Sequence, residues 1–156
     1  MRWALEIAGA TMATLNAGND RLGLLVPGDG RTPALRLAPR RGRAAGLRVL
    51  EALAERGPSI PTPEGWLEAL GRWGEHGKGH RLWILSNGAG LQDLAPMMKP
   101  IAARHRVVWF RPENPHQRHL PNWPDPGFAP TVERQTWDLY DDPVLKLGAW
   151  LKGGGA

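Results

Sequence analysis

The feature that most constrains the fold is a short apolar run closed by a polar turn at residues 80–90, which read HRLWILSNGAG. The apolar part, residues 82–85, is unbroken and too short to be a helix. Such a run is typical of a parallel strand that is buried on both faces. The small polar residues after it fall at the carboxyl end of the strand, where open α/β sheets place their ligand sites. The sequence predicts a core strand that ends either in a plain turn or in one wall of a binding crevice.

Composition narrows the class of protein. A length of 156 residues, with 42% hydrophobic and 22% charged residues, is typical of a folded domain with a substantial core. Because the chain contains no cysteine, disulfides, thiol catalysis and cysteine-based zinc sites are excluded, and we expect a cytoplasmic protein. The net charge of +5 favours acidic partners. The arginines are spread along the chain except at residues 40–43, so we predict no nucleic-acid binding, and we expect no membrane segment.

The spacing of apolar residues alternates between helical and strand patterns. Helices are predicted where the period is helical, at residues 2–17, 44–56, from 63 onwards, 91–105 and 143–152. Strands are predicted at the short apolar or alternating runs, residues 21–26, 34–38, 82–85, 106–111 and 136–140. This alternation predicts an α/β fold with three layers and a mostly parallel sheet. We expect residues 21–26 and 34–38 to form an antiparallel pair with a short connection. We also expect the strands near Arg21, Arg81 and Arg106 to be parallel in one sheet, with residues 34–38 as an antiparallel edge strand.

Helical periodicity also predicts which side chains are buried. The expected inward residues are Leu47, Leu50 and Ala54, with Val49 and Leu53 as further candidates, in the helix at residues 44–56. They are Trp66, Leu67, Leu70 and Trp73 in the helix from residue 63, and Leu94, Met98 and Ile101 in the helix at residues 91–105. Pro100 predicts a kink in the third helix or a start later than residue 91, because an interior proline costs about 3 kcal/mol. Residues 112–130 are predicted to be a long irregular segment rich in proline.

Residues with catalytic or ligand-binding chemistry are few. The sequence has neither a phosphate-binding loop nor a Gly-x-Ser-x-Gly elbow, and residues 28–30 are predicted to form a turn between two strands. Thr62 is predicted to cap the helix that starts at Pro63, and Asp142 to cap the last helix. His116 and His119 could share a metal, although two histidines on a loop are more often exposed to solvent. Trp123 stands apart from the predicted core and is a candidate anchor for a partner.

Several segments, in order, resemble one known family. Residues 21–29 (RLGLLVPGD) and 37–43 (LAPRRGR) resemble a strand and a Pro-Arg-Gly segment of von Willebrand factor A-like domains. The resemblance is to the bacterial group often encoded beside MoxR-type AAA+ ATPases. Residues 82–87 (LWILSN), 103–108 (ARHRVV) and 118–121 (RHLP) resemble two further strands and a turn of that group. Together these segments cover most of the chain.

The resemblance implies a fold, a site and a partner. Domains of this fold hold magnesium with an Asp-x-Ser-x-Ser loop, a Thr and an Asp, since this ion prefers hard oxygen ligands. Here Thr62 matches the Thr, Asn87 stands where the Asp belongs, and the loop is absent. The resemblance implies a degenerate metal-ion-dependent adhesion site at Thr62 and Asn87. We therefore expect no cofactor, and weak magnesium binding at most.

The resemblance also places the start of the chain inside the domain. In the family, the first strand and its metal-binding loop run directly into a Met and the first helix, which Met1 and the residues after it match. A central strand is therefore expected to be missing from this chain, between the strands near Arg21 and Arg81. Residues 1–152 are expected to form a single, N-terminally truncated domain, and residues 153–156 a flexible tail.

The function implied is non-enzymatic protein interaction, together with a MoxR-type ATPase, in maturing or assembling other proteins. The predicted binding crevice is formed by Thr62, Ser86, Asn87 and Gly88, with Trp123, His116 and His119 as further partner contacts. Two alternatives stay open. The chain is either a structural remnant without a ligand, or a small α/β enzyme that uses the crevice at Ser86 and Asn87.

Overall fold

The fold was analysed in a computed structural model, which describes residues 9, 21–57, 59–71, 73, 80–86, 88, 91–113, 127–128, 130–138 and 142–150. Of the helix predicted at residues 2–17, only Gly9 is described, and its backbone is helical. Most of the proline-rich segment, including His116, His119 and Trp123, lies outside the described residues. Asn87 lies outside them as well.

The described elements alternate between strands and helices. In chain order they are β1 (Arg21–Val26), β2 (Leu35–Arg41), α1 (Arg43–Arg56), α2 (Pro63–Gly71), β3 (Arg81–Leu85), a 3-10 turn (Gln92–Leu94), α3 (Ala95–Ala102), β4 (Arg106–Glu113), β5 (Glu133–Asp138) and α4 (Pro143–Trp150). The predicted mixed α/β class is confirmed: there is a parallel three-stranded sheet and a small antiparallel one.

The chain divides into two compact units. The hairpin unit consists of Met1–Leu25, Leu35–Ser59 and Tyr140–Ala156, and its sheet pairs β1 with β2. The parallel unit consists of Val26–Ala34 and Ile60–Leu139, and its sheet has the order β3-β4-β5.

The parallel sheet confirms one part of the predicted topology and corrects another. β3 and β4 are parallel, with Arg81 opposite Arg106 and Leu85 opposite Phe110. β5 is parallel to β4 on its other side and begins at Glu133, three residues before the predicted start. The predicted antiparallel pair of β1 and β2 is confirmed, but among the described residues it forms a separate sheet, so the prediction that β1 joins β3 and β4 in one sheet is wrong. A short connection links β1 to β2, so their pairing has a small loop-closure cost.

The core of the parallel unit lies between its sheet and its helices. β3 contributes Leu82 and Ile84, while Trp83 and Leu85 on its other face are half-buried, so the predicted burial on both faces holds for one face only. The side chains of the main hydrophobic cluster come from α2, β3, the 3-10 turn, α3, β4 and the segments next to them: Trp66, Leu70, Leu82, Ile84, Leu91, Leu94, Met98, Ile101, Val107, Trp109, Phe128 and Val132.

Helix α3 shows how proline sets a boundary. It begins at Ala95, after the 3-10 turn, so the predicted late start is confirmed. Pro96 lies in the first turn, where a missing N–H costs little. The inward positions Leu94, Met98 and Ile101 are all buried, as predicted.

Two helices match the predicted buried residues only in part. In α1, Val49 is buried as predicted and Ala45 and Gly46 are buried as well, whereas Leu47 is 46% exposed and Ala54 is exposed. In α2 the prediction holds for Trp66 and Leu70, but Leu67 is 40% exposed and Ala69 is buried instead. Periodicity fixes which residues share a face, whereas the neighbouring elements decide which face is covered.

Candidate functional site

Ser86 directly follows β3, at the edge of the sheet where the carboxyl ends of the parallel strands meet. Its backbone N–H donates to the carbonyl of Phe110 at 3.3 Å, which continues the β3–β4 pairing by one residue. The predicted crevice residue thus lies where open α/β sheets bind ligands.

Trp109 of β4 holds the backbone of Ser86 through a hydrogen bond. Its indole Nε1–H donates to the Ser86 carbonyl oxygen at 2.9 Å, and its ring packs edge-on against Phe128. Trp109 is only 2% exposed, so the hydrogen bond is shielded from water. Sequence reasoning assigned this tryptophan to the core and missed its polar contact. The available signal was that a buried indole N–H needs an acceptor.

The turn after Ser86 is closed by its own side chain. The Gly88 N–H donates to Ser86 Oγ at 3.1 Å, and the Gly88 carbonyl accepts from Leu91 N–H at 3.2 Å. Gly88 has a φ of 97°, a left-handed conformation that glycine adopts without strain. The turn therefore holds the Ser86 hydroxyl in one orientation.

Thr62 caps helix α2, as predicted. Its Oγ1 accepts from the Gly65 N–H at 3.0 Å, and its carbonyl accepts from the Trp66 N–H at 3.0 Å. The Thr62 N–H donates to the Gly28 carbonyl at 3.1 Å, which ties the start of α2 to the turn at residues 27–34. A Cβ added to Gly65 would clash with the Gly28 carbonyl oxygen, so only glycine permits this approach.

The structure joins some of the predicted crevice residues directly and places others apart. Ser86 and Gly88 share a hydrogen bond, whereas the polar contacts of Thr62 are with Gly28, Gly65 and Trp66. The two groups lie in the same unit, since α2 contacts the 3-10 turn that follows Gly88. Asn87, His116, His119 and Trp123 are outside the described residues.

The described residues fit a magnesium site poorly. Thr62 and Ser86 offer neutral hydroxyl oxygens, each already accepting a backbone N–H, and magnesium is usually bound by carboxylates. Within the described ranges there is no group of three or more His, Asp or Glu side chains that could hold a metal ion.

The hydroxyl of Ser86 has one hydrogen-bond partner among the described residues. Its only side-chain hydrogen bond in the described chain is with the Gly88 N–H, so no described base is placed to remove its proton. The O–H of Ser86 and that of Thr62 each keep a proton to donate. Two hydroxyl donors fit a carboxylate or carbonyl acceptor.

Comparison of the chain with protein-family models, curated proteins and solved structures finds no match. None of the described helices is both long enough and apolar enough to cross a membrane.

Proposed function

We propose that the chain is a non-enzymatic protein-interaction domain, with a von Willebrand factor A-like fold, that receives an acidic side chain or loop of a partner at the crevice of Ser86, Asn87, Gly88 and Thr62. By the resemblance, the partner is a MoxR-type AAA+ ATPase, and the process is the maturation or assembly of other proteins in the bacterial cytoplasm.

The observation that carries the proposal is the fixed turn at the carboxyl end of β3. The buried Trp109 indole holds the Ser86 carbonyl, and the Gly88 N–H holds the Ser86 hydroxyl. Because the donor is already ordered, binding costs little conformational entropy at this point.

The proposal is tested by measuring binding of the chain to the MoxR-type ATPase of the same genome by calorimetry. A hydrogen bond to a charged group contributes about 1.5 kcal/mol, so Ser86→Ala should weaken binding about tenfold. Thr62→Ala should weaken it similarly, while Thr62→Ser, which keeps the hydroxyl, should bind like the parent.

Thr136, exposed on β5, provides the matched control for loss of a hydroxyl. Thr136→Ala should leave binding unchanged. Absence of binding to the ATPase would refute the proposed partner. Tight binding that neither Ser86→Ala nor Thr62→Ala weakens would refute the crevice as the docking site.

A further inference from the structure

Four arginines are concentrated at one corner of the hairpin unit. Arg40 and Arg41 end β2, and Arg43 begins α1 after a single glycine. Arg21 begins β1, and because β1 and β2 are antiparallel it lies beside the end of β2. All four side chains are exposed. We call Arg21, Arg40, Arg41 and Arg43 the arginine corner.

No described acidic side chain pairs with the arginine corner. Within the described chain, none of its four guanidinium groups takes part in a hydrogen bond or an ion pair. By contrast, Arg106 in the parallel unit donates to the Glu133 carboxylate at 3.0 Å. Like charges placed on neighbouring strand positions destabilise a sheet.

Helix α1 adds to the positive potential at this corner. Its N-cap is Gly42, which provides no side-chain cap, and its first turn contains no acidic residue. The positive end of the helix dipole and the Arg43 side chain therefore lie together, which is unfavourable for the helix alone. Sequences break such local rules mainly where a function compensates for the loss in stability.

We propose that the arginine corner binds an acidic segment of a protein partner, a run of Asp and Glu side chains. Guanidinium groups bind carboxylates through two parallel hydrogen bonds, and carboxylates would supply the negative charge that both the arginines and the α1 terminus lack. The inference rests on the proposed function in taking the partner to be a protein, but it concerns a different surface.

The composition of the corner favours a peptide over single-stranded nucleic acid. Single-strand binding sites combine positive charge with aromatic side chains on which bases stack. β2 (LRLAPRR) and α1 (RAAGLRVLEALAER) contain no aromatic residue. Binding of carboxylates, by contrast, requires only the guanidinium groups.

The test is fluorescence anisotropy with a labelled peptide of Glu and Ser, using the whole chain at low salt. The triple variant Arg40→Gln, Arg41→Gln, Arg43→Gln is compared with the control triple Arg31→Gln, Arg81→Gln, Lys99→Gln, whose positions are exposed in the parallel unit. Each triple lowers the net charge from +5 by three, to +2. Because each exposed charge pair contributes modestly and three are lost together, the corner triple should bind at least about tenfold more weakly, and the control less than about threefold.

Several outcomes would overturn the inference. Equal weakening by the two triples would show that only net charge matters. A single-stranded oligonucleotide of matched charge, or an anionic vesicle, that binds more tightly than the peptide and loses affinity with the corner triple would assign the surface to that ligand. Circular dichroism checks the folding of both triples. Arg41→Gln alone is a milder variant and should show a smaller loss of affinity for the peptide.

Two binding measurements separate this inference from the proposed function: the corner triple is tested with the acidic peptide, and Ser86→Ala with the ATPase. Thr136→Ala, at an exposed position of the parallel unit outside both surfaces, should leave binding of the acidic peptide unchanged. Failure of the peptide to bind, with crevice-dependent ATPase binding intact, refutes the arginine corner alone. Peptide binding that depends on the corner, without ATPase binding, refutes the proposed ATPase partner and supports the corner.

Discussion

The two units use similar apolar strands in different ways. In the parallel unit, β3 and β4 pair with parallel neighbours and supply Leu82, Ile84, Val107 and Trp109 to a continuous hydrophobic cluster. In the hairpin unit, β1 is equally apolar in sequence, yet residues 22–26 are only half-buried. The buried hydrophobic side chains described in this unit are Ala45, Val49 and Leu147.

The two units therefore carry different kinds of candidate surface, a rigid turn in one and exposed positive charge in the other. The parallel unit carries the fixed turn at Ser86 on a well-packed sheet, as a preorganised docking site requires. The hairpin unit carries the exposed arginine corner, whose groups act mainly through their charge. Substitutions in the parallel unit should therefore change stability, and those on the exposed hairpin-unit surface should change it little.

The largest expected effect on the free energy of unfolding is at Trp109. Trp109→Ala should lower the free energy of unfolding by about 3–5 kcal/mol, because it empties a buried site and removes the hydrogen bond to Ser86. Urea denaturation measures the change. Trp109→Phe keeps a ring and should cost less. A loss below about 1 kcal/mol for the alanine variant would show that the core is not organised around this residue.

Two glycines of helix α2 provide the next comparison. Gly65→Ala should cost about 1–3 kcal/mol, because the new Cβ meets the Gly28 backbone, which cannot move without displacing the turn. At Gly71 an added Cβ meets nothing within 4 Å, so Gly71→Ala should be neutral or stabilise by up to about 1 kcal/mol. Thermal denaturation of both variants checks this, and equal melting temperatures would contradict the close approach.

A smaller effect is expected at the cap of α2. Thr62→Ala removes the acceptor for the Gly65 N–H and should lower the free energy of unfolding by about 1 kcal/mol. Thr62→Ser keeps that acceptor and should recover most of the loss. If the serine variant is as unstable as the alanine variant, the threonine methyl group contributes the stability and not the cap.

The smallest effect is expected on the exposed face of α1. Leu47 is 46% exposed, so Leu47→Ala should change the free energy of unfolding by less than about 0.5 kcal/mol. Chemical denaturation measures this against Leu70→Ala, at a buried position of α2, where about 2–5 kcal/mol is expected. Similar losses for the two variants would remove the contrast between the units.

Part of the site could be predicted from the sequence because it depends on neighbours along the chain. The turn at Ser86 follows from an apolar run that ends in small polar residues, and the Thr62 cap follows from the Thr-Pro-Glu start of α2. The contact from Trp109 joins residues 23 positions apart, and no local pattern specifies it.

Local chemistry in the sequence determined where most elements begin and end. Pro96 lies in the first turn of α3, and Asp142 caps α4 by accepting the Leu145 N–H at 3.2 Å. These effects act within a few residues, so the sequence contains them in full.

Only the tertiary structure decided how the strands are divided between two sheets and which helix residues are buried. The parallel sheet contains β3, β4 and β5 but not β1, although the apolar sequence of β1 resembles that of β3, and Leu47 and Leu67 are exposed although they fit the helical period. Both outcomes depend on elements distant in the sequence, whose packing selects one arrangement among several that local patterns allow.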